Sequence, residues 1–215
     1  MKSLLPNTLT LMRLVLAPVV AWCMWKGFEI PYLAEFGPNA LDASVADVQA
    51  AQKEGLCYKH WAAGLFVFAA LTDLFDGMAA RALDADSKFG RILDPIADKA
   101  LVALPLLTVA AVGYHSEGHP NWLILAPVLA IVGRDLIVTI LRLFASDGEG
   151  VQVSFLAKIK TTLELIAVAT PIFMALPQIG ASTTLNTVWL GLLWSAAALS
   201  VVTALQYFFT PSAKS

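Results

Sequence analysis

Four aspartates fall into two closely spaced pairs, in the pattern Asp73-x2-Asp76-Gly77-x2-Ala80-Arg81-x8-Gly90-x3-Asp94-x3-Asp98. Spacings of three and four place each pair on one face of a helix. Carboxylates that share a site raise one another's ionisation cost, and Arg81 alone does not balance four of them. Divalent cations would. A donor set made only of oxygen suits Mg2+ or Mn2+ rather than zinc.

The elements that must hold these acids are apolar. Of 215 residues, 58% are hydrophobic and 14% charged, and the mean hydropathy is +0.72, a balance that excludes an ordinary soluble domain. A hydrocarbon core about 30 Å thick takes about 20 apolar residues per helix. Six stretches approach that length, at roughly 9–25, 60–80, 92–113, 122–144, 155–176 and 185–209. The expected class is all-α, a polytopic membrane protein with six transmembrane helices in one domain over 1–215. The first stretch lacks a basic leader and a clear cleavage site, so it reads as a retained span.

Charge sets the orientation. Lys26, Lys53 and Lys59 lie in one connection, whereas the other Lys and Arg residues cluster at the termini and near the second-to-third and fourth-to-fifth connections. With six spans those regions share a side, and the positive-inside rule makes it the cytoplasm. Residues 26–59 then form a long outer loop, with a short surface helix after Asp42. Cys23 and Cys57 fall near the outer face, where a disulfide is chemically possible, and read as two free thiols. His115-x3-His119 is flanked by Gly113, Gly118 and Pro120, which favours a turn over a metal site.

Depth supports a single site for the acids. At about 1.5 Å per residue, Asp73 lies about 12 Å inside Arg81, and Asp94 and Asp98 lie about 8 and 14 Å inside Phe89. Asp84 and Asp86 are rim residues. Asp73 and Asp98 are too deep for that role, and acids within a membrane are functional candidates. Arg13, within the first span, either snorkels or faces a polar cavity. Arg134 lies deep in the fourth span and requires Asp135 or an anionic ligand as partner. Arg142, Lys158 and Lys160 either join it or serve as anchors. Asn7 and Thr8 are placed to cap the first helix. A cation- or proton-coupled transporter would also bury acids, but it needs polar groups across the whole membrane, and these are confined to one half.

The Asp73 to Asp98 pattern resembles, at every defined position, that of the CDP-alcohol phosphotransferase family of membrane enzymes. Asn7-x-Leu9-Thr10-x2-Arg13 is similar to the family's opening segment. Arg134-Asp135 through Arg142, followed by Lys158-x-Lys160-Thr161, looks most like members whose acceptor is sn-glycerol 3-phosphate. Those members usually read Glu at Asp135, Gly at Ala157 and Gln at Glu164. The resemblance implies two divalent ions on Asp73, Asp76, Asp94 and Asp98, with Asp98 also taking the proton of the acceptor alcohol. It implies that Asn7, Thr10, Gly77, Arg81 and Ser87 contact CDP-diacylglycerol. Arg134, Arg142, Lys158 and Lys160 would hold glycerol 3-phosphate, or an alternative acceptor such as inositol phosphate. It further implies a homodimer in the bacterial cytoplasmic (inner) membrane, its site facing the cytoplasm.

Overall fold

The computed structural model describes residues 4–83, 88–144, 155–180 and 182–209, with the side chains of 4–7, 73–83, 88–92, 94, 117, 142–144, 155–158 and 206–209 outside the description. Among the described residues the chain is all helical: α1 (Leu4–Phe36), α2 (Val45–Leu83), α3 (Lys88–Glu117), α4 (Trp122–Phe144), α5 (Phe155–Met174) and α6 (Thr183–Phe209). Among the described residues four helices are long and apolar enough to cross a membrane, over Thr8–Phe36, Pro95–Ser116, Trp122–Leu141 and Thr183–Leu205. The protein is therefore polytopic. Of the other two, α5 concentrates Lys158, Lys160 and Glu164 near its start, and α2 is polar over its first part and apolar from Trp61 onward.

The core is drawn from all six helices. Ala17, Val20, Phe66, Leu106, Ile131, Val168 and Leu193 are among its buried side chains. Alanines recur in it, at 17, 63, 69, 110, 167, 196 and 197, and small side chains let helices approach closely where lipid gives no hydrophobic drive between them. α1 packs along both α2 and α3, which touch each other only slightly among the described residues, while α6 lies against α4 and α5. Two indole N–H groups tie α6 down: Trp189 donates to Ala167 O at 2.9 Å and Trp194 to Leu123 O at 3.0 Å.

The structure differs from the sequence expectation between residues 26 and 59. α1 continues to Phe36 and α2 begins at Val45, so the non-helical connection is confined to residues 37–44. The 39 residues of α2 make a rod of about 58 Å, well beyond the hydrocarbon thickness. Two glycines make the extension possible. A Cβ on Gly55 would lie 2.4 Å from Pro31 Cγ and 3.0 Å from Gly27 O, and one on Gly27 would lie 2.9 Å from Lys59 Cγ. Pro31 has no N–H to give to Gly27 O, its helical acceptor, and that carbonyl lies against Gly55, where no side chain intrudes. The rings of Phe28 and Tyr32 stack at 5.3 Å, those of Tyr32 and Phe36 lie 5.5 Å apart, and His115 sits 5.0 Å from Tyr32.

The start of α2 is closed by a reciprocal cap. Asp47 N donates to Ser44 Oγ at 3.2 Å, and Ser44 N and Oγ donate to Asp47 Oδ2 at 3.0 and 2.7 Å, satisfying donors that a helix start leaves open. The Ser44 hydroxyl and amide hold the Asp47 carboxyl below its ordinary value. α1 begins at Leu4, so Asn7 and Thr8 lie inside the helix rather than at its cap. Cys23 is buried and Cys57 exposed, and both are free thiols. α3 carries Gly113 and His115 within its last turns and ends at a turn with Gly118 at φ +71°, its N–H donating to Tyr114 O at 2.9 Å, so the turn expected around His115 and His119 begins only after Glu117.

Candidate active site

Asp98 projects from the first half of α3 toward α1, where its Oδ1 accepts from Arg13 Nη1. The Arg13 side chain is 3% exposed and that of Asp98 47%. Arg13 therefore takes the polar-partner alternative rather than snorkelling. Its burial places a fixed positive charge behind the carboxylate, whose side chain is half exposed. Thr10, one turn earlier on α1, is buried.

The next residue of α3 turns to a second cluster. Lys99 Nζ lies 2.7 Å from Asp135 Oδ2 on α4, and Asp135 Oδ1 accepts from Arg134 Nη1 at 2.9 Å and from Lys160 Nζ on α5. Lys160 Nζ also lies 2.8 Å from Glu164 Oε1, one turn on, in an ion pair without hydrogen-bond geometry. Arg134 Nη2 donates to Thr203 Oγ1 on α6 at 3.0 Å, and Thr203 passes its own hydrogen to Ser200 O at 3.0 Å. Asp135, Lys160 and Glu164 are almost fully buried.

Among the described residues three cations here, Lys99, Arg134 and Lys160, face two carboxylates, Asp135 and Glu164, an excess of positive charge. Arg134 Nε and Glu164 Oε2 are buried without a hydrogen-bond partner. Buried polar groups ordinarily find partners, and a guanidinium donor held open beside excess positive charge suits an anionic oxygen. The cluster links α3, α4, α5 and α6, with Asp135 at its centre.

Of the sites expected from sequence, the structure places Asp98, Thr10, Arg134 and Lys160, and it joins the last two through Asp135. Asp73, Asp76, Asp94, Asn7, Gly77, Arg81, Ser87, Arg142 and Lys158 lie outside the described residues or have side chains outside the description. Among the described residues no three His, Cys, Asp or Glu side chains gather as a metal site. Sequence reasoning passed over Lys99 and Thr203, and met Glu164 only as a departure from the family's usual residue. The Lys160-x3-Glu164 spacing is a readable i,i+4 pair, and Lys99 follows Asp98 directly. Thr203 carries no such signal.

Residues 3–206 match the family model described as CDP-alcohol phosphatidyltransferase. Similar proteins include a CDP-diacylglycerol–glycerol-3-phosphate 3-phosphatidyltransferase of Cereibacter sphaeroides, 39% identical over 77% of this chain and 61% of the relative. A Bacillus subtilis protein of the same name is 34% identical over 95% of this chain and 93% of its own length. One of Escherichia coli is 36% identical over 50% of this chain and 58% of the relative. With Asp98 and Lys99 set side by side on α3, between an acidic motif and a basic cluster, and with nearly the whole length matched, the chain belongs to the CDP-alcohol phosphatidyltransferase family.

Proposed function

We propose that this protein transfers the phosphatidyl group of CDP-diacylglycerol to sn-glycerol 3-phosphate, giving phosphatidylglycerophosphate and CMP. One observation carries the reading: consecutive residues of α3 serve the two halves of the reaction. Asp98 faces Arg13, and Lys99 joins the cluster of Asp135, Lys160 and Arg134. An acceptor whose phosphate rests on that cluster brings its hydroxyl toward the Asp98 carboxylate.

Asp98 takes the proton of the acceptor hydroxyl as its oxygen bonds to the lipid-bearing phosphorus and the bond to CMP breaks. Arg13 fixes the Asp98 Oδ1 oxygen and counters its charge. Positioning accounts for most of the remaining work, because little covalent chemistry is left to the protein.

An all-carboxylate donor set fits Mg2+ or Mn2+, and the Asp98 carboxylate, half exposed, is of the type such an ion takes. Asp73, Asp76, Asp94 and Asp98 would hold two ions, which when bound stabilise charge on the phosphoryl oxygens. Asn7, Thr10, Gly77, Arg81 and Ser87 would contact CDP-diacylglycerol. Arg142 and Lys158 would join Arg134 and Lys160 around the acceptor phosphate, where the unpartnered Arg134 Nε supplies a donor. Six spans in one domain over 1–215, both termini and the site on the cytoplasmic side of a bacterial inner membrane, and a homodimer complete the proposal.

The test gives purified protein CDP-diacylglycerol with glycerol 3-phosphate, inositol phosphate, myo-inositol or serine, and identifies the lipid formed alongside CMP. Product from glycerol 3-phosphate alone is expected. Product from inositol phosphate in its place would reassign the acceptor, and no CMP from any would end the reading.

A further inference from the structure

A cavity of about 240 Å³ lies among α1, α2, α3 and α5, away from the aspartates. Met24, Phe28, Val109, Val112 and Ile172 line it with hydrocarbon, and Lys59 is its one charged side chain. Thr108, also on its wall, spends its hydroxyl on Leu104 O at 2.9 Å. Among the described residues no hydrogen bond or ion pair engages the Lys59 ammonium, whose stem lies across Gly27.

Level matters as much as lining. Gly27 is 14 residues beyond Arg13 on α1, so Lys59 stands about 21 Å from the Arg13–Asp98 pair along the bundle. Trp22 packs edge-on against Tyr58 at 5.5 Å, and Trp25 lies 5.7 Å from His115. Aromatic side chains of this kind mark the zone where hydrocarbon meets headgroups. Lys59 thus stands at the opposite interface from the Asp98 site, its ammonium over an apolar hollow larger than the roughly 150 Å³ that admits benzene.

We infer that this cavity is a binding site for an anionic phospholipid, separate from the reacting lipid, with a length of acyl chain in the hollow and the headgroup phosphate on Lys59. The charge selects the occupant. A neutral chain would leave the ammonium unpaired, a free anion would leave the hydrocarbon walls wet, and a second copy of this chain would have to bring a carboxylate on an apolar surface.

Purified full-length protein is mixed with equal amounts of phosphatidylglycerol and phosphatidylcholine, and bound lipids are counted by native mass spectrometry. The wild type should retain the anionic lipid preferentially. Lys59→Met, which keeps the stem and removes the charge, should lower that preference about fivefold, whereas Lys53→Met on the exposed start of α2 should not. Val112→Phe, which fills the hollow, should lower lipid occupancy whether or not Lys59→Met can be purified. Equal retention of both lipids, an unchanged preference in Lys59→Met, unchanged occupancy in Val112→Phe, or displacement by millimolar inorganic phosphate would each overturn the assignment. Because the readout is binding rather than turnover, it stands or fails apart from the proposed reaction.

Discussion

The two ends of the bundle hold their helices together by opposite means. Near Asp98, charge does it: Arg13, Lys99, Arg134, Lys160, Asp135 and Glu164 join α1 to α3 and α3 to α4 and α5. Near Gly55, bare backbone and stacked rings do it, with Gly27 and Gly55 admitting Pro31 and Lys59. Burying ions costs several kcal/mol each by about the same measure that their pairing returns, so the first arrangement is a poor way to gain stability alone. Its proposed use is to keep an anion-binding surface in place beside the proposed proton acceptor.

The comparison can be broken from either end. The largest expected effect is on turnover: Asp98→Asn should lower kcat by about 10² to 10⁴, the usual worth of a positioned proton acceptor, while the protein still elutes like the wild type and its unfolding midpoint falls less than that of the next variant, because the Asp98 side chain is 47% exposed. Next is Asp135→Ala, which strands Lys99, Arg134 and Lys160 in the interior. Loss of one partner from a buried charge cluster costs about 3–5 kcal/mol, to be read as a lower midpoint of unfolding in detergent. At the other end, Gly55→Ala should cost about 1–3 kcal/mol by overpacking against the rigid Pro31 ring. Gly27→Ala should cost less, because the Lys59 stem can move aside.

The smallest effect is a pH response at the start of α2. The Asp47 carboxyl is held below its ordinary value by Ser44, so its contribution is complete above that ordinary value and is lost as pH falls through the lowered one. Protection factors for the amides of residues 45–50, taken relative to the intrinsic exchange rate at each pH, should fall on acidification in the wild type and show a flatter response in Asp47→Asn.

Much of this was legible in the sequence, and the exceptions have physical causes. Hydropathy located a stretch within each of the six helices, four of which are long and apolar enough to cross a membrane among the described residues, because a span must be apolar over its whole width. It failed for residues 26–59, where the chain is helical but polar and Pro31 reads as a breaker. There the helix is sustained by contact between α1 and α2, which spacing along one strand of sequence does not report. The acid pattern singled out Asp98 because a carboxylate at that depth has few structural excuses. The basic half was only partly readable. Arg134 announced itself as a deep cation and Lys160 was left between a pocket residue and an anchor, but that they share Asp135, and that Lys99 reaches the same carboxylate, depends on how three helices meet. Adjacent residues on a helix do not face one another, yet Arg134 reaches Asp135 because its long side chain can fold back over its neighbour.

The central claim is that carboxylates of α2 and α3 hold the ions on which phosphatidyl transfer depends. It is tested most directly by stripping the purified protein with EDTA and following CMP release from CDP-diacylglycerol and glycerol 3-phosphate as Mg2+ or Mn2+ is restored. Release should fall to background and return in a saturable way as metal is added. Undiminished release from the stripped protein would contradict the account.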